Sequence, residues 1–91
     1  MKFEWDEKKN LANTKKHGVT FEAATFEFND PQCVVFENGV FDGELRESLI
    51  GNAAGLLLIL VVFTDRNEKI RIISARLANK YEQEVYKNEN R

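Results

Sequence analysis

The stretch Leu56–Arg76, LLLILVVFTDRNEKIRIISAR, decides the fold. Its first eight residues, Leu56 to Phe63, are apolar without a break. A helix that crosses a bilayer takes about 20 such residues, so the run is too short for one. Apolar on both faces, it belongs at the centre of a covered sheet. Asp65 to Glu68 makes a tight turn, and Ile70 to Ala75 returns as a neighbouring strand. A connection this short favours antiparallel pairing, because a parallel crossover needs a dozen residues or more.

Upstream, Glu44 to Gly51 alternates polar and apolar residues, with Leu45 and Leu49 two periods apart, and Asn52 to Gly55 reads as a turn. Cys33 to Glu37 is β-branched and aromatic, and Asn38-Gly39 gives a hairpin signal after it. Nearer the start, Lys2 to Trp5 alternates as a short strand does. Asp6 is an N-cap for a helix over Glu7 to Lys16, with Lys15 and Lys16 suited to its C-terminal end and Gly18 to a left-handed cap. Thr20 opens a second helix through Phe28, which Asn29-Asp30-Pro31 stops. Downstream, Asn79 and Glu82 resemble a capping box, so a last helix runs from Lys80 to Lys87. The expected architecture is an α+β domain over residues 1–91. An antiparallel meander sheet carries two N-terminal helices on one face, a C-terminal helix follows, and the other sheet face is left open as a concave site.

Composition narrows the function. Cys33 is the single cysteine and His17 the single histidine, which excludes an internal disulfide and fits no metal-site spacing. No glycine-rich phosphate loop is present, so no cofactor is expected. The opening MKFEWDEKKN carries charges where a signal peptide has an apolar core, which points to the cytoplasm. The net charge of −2 does not announce a nucleic-acid binder. Its distribution is uneven: residues 1–18 sum to +2, residues 19–55 to −6 and residues 56–91 to +2. The two ends can therefore share a cationic face.

The residues left for chemistry are mostly arginines. Arg46 lies on a strand, Arg66 at a turn, and Arg71 and Arg76 at either end of RIISAR. Guanidinium forks match phosphate oxygens bidentately, and several on one site can hold an RNA backbone. Strict alternation puts Arg71 with Ile73, and Arg76 with Ser74, Ile72 and Ile70; only a local bend brings both arginines to one side. The plain alternative is that they pair with acids such as Glu44, Glu47 and Asp65. RNA can be cut without metal when a base takes the ribose 2′-hydroxyl proton, an acid protonates the leaving 5′-oxygen and cations stabilise the transition state. His17 and Glu44 are the two candidate bases, His17 being equally suited to capping a helix C-terminus. A Ser–His–Asp set built on Ser48 or Ser74 lacks a nucleophile-turn signature. Trp5, Cys33 and Phe63 read as core.

FEWDEKKNLANTKKHGVTFEAATFEFNDP (Phe3 to Pro31), ELRESLIG (Glu44 to Gly51) and LLLILVVFTDRNEKIRIISARLANKYEQEVY (Leu56 to Tyr86) together resemble the BrnT toxins. That resemblance implies a RelE-like fold, ribonuclease activity that arrests translation, and neutralisation by a BrnA-like ribbon-helix-helix antitoxin through which operator DNA is bound. On matching positions it points to His17, Glu44, Arg46, Arg71 and Arg76 for catalysis, the base being His17 or Glu44, and to Arg46, Arg66, Arg71, Ser74 and Arg76 for RNA phosphate. Phe63 departs from the pattern, standing where relatives often carry His or Tyr. A degenerate toxin that binds antitoxin and co-represses transcription is the alternative reading, and an RNA-binding protein that does not cut is a third.

Overall fold

The computed structural model describes residues 1–52 and 57–91. Strands β1 (Lys2–Glu4), β2 (Val34–Phe41), β3 (Glu44–Gly51), β4 (Ile59–Arg66) and β5 (Lys69–Leu77) form one sheet in the order β1-β5-β4-β3-β2. The four later strands make the expected antiparallel meander, and β1 joins it in parallel beside β5. The apolar run supplies most of β4, the middle strand. Val61 and Phe63 are buried toward one face, and Leu60 is buried toward the other. Residues 53–55 of the expected turn, and Leu56 from the start of the expected strand, lie outside the described residues.

Helices α1 (Glu7–His17), α2 (Phe21–Thr25) and α3 (Lys80–Glu89) sit where the caps direct them. Asp6 accepts from Lys8 N and Lys9 N, Gly18 closes α1 at φ 74°, and Thr20 accepts from Ala23 N. The second helix is shorter than expected, because its last turn, Phe26–Asn29, tightens into a 3₁₀ helix. Asn79 and Glu82 form the reciprocal capping box at the start of α3.

Phe21 and Ala24 of α2, with Val19, pack on Val61, Ile72 and Ala75. Helix α1 docks differently. Its buried side chains are Asn10 and Asn13, whereas Leu11 is 65% exposed, so hydrogen bonds rather than an apolar stripe hold it. Asn13 donates to Ala75 O and accepts from Ala75 N, standing in for a strand neighbour on the β5 edge beyond the end of β1. Helix α3 covers the opposite sheet face, where Val85 and Tyr86 pack with Ile50 and Leu60. The second face, expected from the sequence to be open, is therefore partly covered by α3. The open part is the end bearing the two hairpins. Among the described residues, no helix is long and apolar enough to cross a membrane.

Two features of the strands depart from simple alternation and decide what that open end presents. Asn38-Gly39 is not the hairpin turn. It lies within β2 at a register shift, where Glu37 faces Glu47 but Gly39 faces Arg46. The turn falls at Asp42-Gly43, both at positive φ (51° and 77°), as a two-residue hairpin turn of this twist requires. A second shift lies in β5: Val62 faces Ser74 while Phe63 faces Ile72, so Ile73 is the extra residue. Each bulge reverses the alternation beyond it.

Candidate active site

The β5 bulge brings the arginines together. Leu60, Val62 and Thr64 alternate toward the α3 face, and their partners are Arg76, Ser74 and Arg71. Without the extra residue at Ile73, Arg71 would point toward the helices packed on the other side. On β3, Ser48 faces Val62 and Ile50 faces Leu60, so Arg46 and Glu44, at the same parity, share this face. Arg66 joins it at the end of β4 through Glu44, whose carboxylate takes Nε at 2.6 Å and Nη2 at 2.7 Å.

A hollow of about 240 Å³ lies at this end of the sheet, lined by Lys9, Phe41, Asp42, Glu44, Arg46, Arg66, Arg71 and Ile73. Its floor is cationic and its acids are distributed unevenly. Arg71 Nη1 lies 3.1 Å from Glu4, which also stands 3.7 Å from Arg66 and 3.9 Å from Lys69. The hydrogen bonds from Arg66 hold the Glu44 carboxyl below the ordinary carboxylate range. Arg46 has no carboxylate within ion-pair distance among the described residues; its guanidinium sits 4.7 Å above the centre of the Phe41 ring.

Not every candidate reaches this place. Arg76 shares the face but sits at its α3 end, opposite Leu60 while Arg71 is opposite Thr64, roughly 13 Å along the strand, and Glu82 takes both of its terminal nitrogens at 2.8 and 2.9 Å. That hydrogen bonding also keeps the Glu82 carboxyl below its usual range. Ser74 lies between Arg71 and Arg76 on the same face, opposite Val62. His17 is half-buried in the last turn of α1, and the hollow meets that helix at Lys9 near its other end. The two stand eight positions apart on the helix, about 12 Å along its axis.

Phe63 is 5% exposed and packs edge-on against Phe28 at 5.0 Å on the helix side of the sheet, so its position faces away from the hollow. Trp5 packs on Phe21, and Cys33 is a half-buried free thiol. Lys9, Phe41 and Asp42 line the hollow and were not singled out from the sequence. Lys9 reads there as one of several surface lysines. Phe41 and Asp42 reach the face only because of the β2 bulge and the displaced turn, which simple alternation does not reveal.

A family described as "Ribonuclease toxin, BrnT, of type II toxin-antitoxin system" matches residues 5–82. The class is thus the ribonuclease toxins of toxin–antitoxin pairs. The crystal structure of the Brucella abortus ribonuclease toxin BrnT, at 1.1 Å resolution, is similar to this chain with a TM-score of 0.69 and 34% sequence identity. The similarity covers 88% of this chain and 99% of that one. No curated protein sequence matches. The chain belongs to the BrnT family of ribonuclease toxins.

Proposed function

We propose that the protein cuts RNA without a metal ion at the hollow between the two hairpins, and that this activity arrests translation in the cytoplasm. The observation that carries the proposal is the gathering of Arg46, Arg66 and Arg71, from three strands, around one hollow. Arg66 is held by Glu44, Arg71 by Glu4 and Arg46 over the Phe41 ring, and guanidiniums fixed in this way are preorganised for the charge that develops on a phosphate under attack. Of the two candidate bases, Glu44 lines the hollow. In the proposed step it takes the 2′-hydroxyl proton, the 2′-oxygen attacks the neighbouring phosphorus, and the bond to the 5′-oxygen breaks to leave a cyclic phosphate. Lys9 is suited to protonate the leaving oxygen, since an ammonium can give up a proton where a guanidinium cannot. Ser74 and Arg76 continue the face toward α3 and are assigned to flanking phosphate; His17 is assigned to the end of α1.

The partner proposed for this face is a BrnA-like ribbon-helix-helix antitoxin, which would cover the arginines and bring the complex to operator DNA. A specific observation also supports the co-repressor reading: Arg66, Arg71 and Arg76 each contact a carboxylate, so much of the cationic surface is neutralised at rest. One experiment separates the two. Purified protein is incubated with RNA in EDTA beside Arg46→Ala and Arg71→Ala proteins with unchanged melting curves. Cleavage that falls about 100–1000-fold in each variant supports the nuclease. Intact RNA with wild-type protein, alongside a stable operator-binding antitoxin complex, supports the co-repressor.

A further inference from the structure

We propose that the tip of the β2–β3 hairpin is a nucleobase subsite, in which Phe41 stacks on a base beside the bound phosphate and Asp42 accepts from the donor edge of guanine. The inference rests on the phosphate reading of the hollow and names the base beside that phosphate.

Phe41 is 46% exposed and belongs to neither apolar cluster, so burial in the core does not account for its position. Its direction is set by the bulge at Asn38. Gly39 faces Arg46 and Phe41 faces Glu44, which turns the ring onto the arginine face. Simple alternation from Phe36 would have turned it the other way. The bulge has a built cause, since Asn38 donates to Ser48 Oγ at 2.7 Å and Gly39 takes φ 124°. Bulges recur beside active sites because they re-aim a side chain without altering the rest of the strand. Here the result is an aromatic ring with a guanidinium 4.7 Å from its centre, next to the proposed phosphate-binding groups. Single-stranded RNA is held by such surfaces, bases stacking on aromatic rings and guanidinium planes.

Asp42 follows directly and lines the same hollow. Three arginines line it too, yet among the described residues Asp42 makes no ion pair or side-chain hydrogen bond. A carboxylate there repels phosphate, so the group it suits is a hydrogen-bond donor. Guanine presents two adjacent donors, N1–H and the N2 amino group, that match two carboxylate oxygens. Adenine, cytosine and uracil each present one on that edge.

The test is binding by fluorescence anisotropy, using short 2′-O-methyl oligoribonucleotides that cannot be cleaved. Each is a uridine tract with one central guanosine, inosine, adenosine or cytidine. Inosine differs from guanosine only in lacking the N2 amino group. Wild type should bind the guanosine oligonucleotide about tenfold tighter than the inosine one. Asp42→Asn, which keeps a residue tolerant of positive φ, should bring the two within twofold. Phe41→Ala should weaken all four about tenfold, with Phe41→Trp restoring affinity. Equal wild-type affinity for guanosine and inosine overturns the subsite, as does an Asp42→Asn protein that keeps the preference. If all four bind alike and Arg71→Ala abolishes binding, the phosphate reading stands and the base subsite falls. A guanosine preference without cleavage of unmodified RNA keeps the subsite and removes the nuclease. No binding at all removes both.

Discussion

At the scale of single residues, Asn13 carries more of the fold than any apolar side chain of its helix. Its amide donates to Val19 O at 2.9 Å and Ala75 O at 2.8 Å and accepts from Ala75 N at 3.2 Å. All three backbone groups are buried. Leaving such groups unmet costs about 1–3 kcal/mol each, partly relieved by local rearrangement. Asn13→Ala should therefore destabilise the protein by about 2–4 kcal/mol, with the melting temperature falling roughly 4–8 °C per kcal/mol. Leu11→Ala, one turn face away and exposed, should change stability by less than about 0.5 kcal/mol. A thermal melt of both variants tests the contrast; equal losses would mean that α1 docks through its apolar residues after all.

At the scale of elements, α3 is tied to the sheet by Glu82, which closes the capping box and clamps Arg76 of β5. The Arg76 hydrogen bond, with help from the Asn79 backbone, holds the Glu82 carboxyl below its ordinary value of 4.5. A carboxyl depressed in the folded state contributes stability above its unfolded pKa and loses it as pH falls through the folded value. Wild type and Glu82→Gln should thus differ most at neutral pH, by about 1–3 kcal/mol, and converge once the pH drops well below 4.5. Denaturant melts across pH 3 to 7 measure this, and a constant gap would refute the linkage.

The helices, their caps and the central strand were legible because each has a local cause: Asp6, Gly18, Thr20 and Asn79 act within a turn of themselves. The bulges were not. Asn38-Gly39 and Asp42-Gly43 carry the same turn signal, and the choice between them depends on the longer register, which pairs Gly39–Phe41 with Glu44–Arg46 beyond the bulge as well as Val34–Glu37 with Glu47–Ile50. The same limit applied to the site. RIISAR marked the right strand, but only the extra residue at Ile73 shows that Arg71 and Arg76 share a face, and only the fold shows Glu82 holding Arg76 away from the hollow.

At the scale of the whole molecule, a net charge of −2 opposes RNA at long range, so binding must come from the local face. Arg46 has no acid partner among the described residues, Arg71 has one carboxylate contact, and Lys9 makes no ion pair there. Two or three phosphates is then the expected load. Each phosphate neutralised on a single strand contributes about −0.7 to the slope of log affinity against log salt, giving a slope of about −1.4 to −2.1. Glu4 opposes this by occupying Arg71 and standing near Arg66 and Lys69. Glu4→Gln should therefore tighten binding of a 2′-O-methyl oligonucleotide a few-fold at low salt and steepen the slope by up to about 0.7. Arg46→Glu should flatten it. A wild-type slope near zero, or one that Arg46→Glu leaves unchanged, would place the RNA somewhere other than the face between the hairpins.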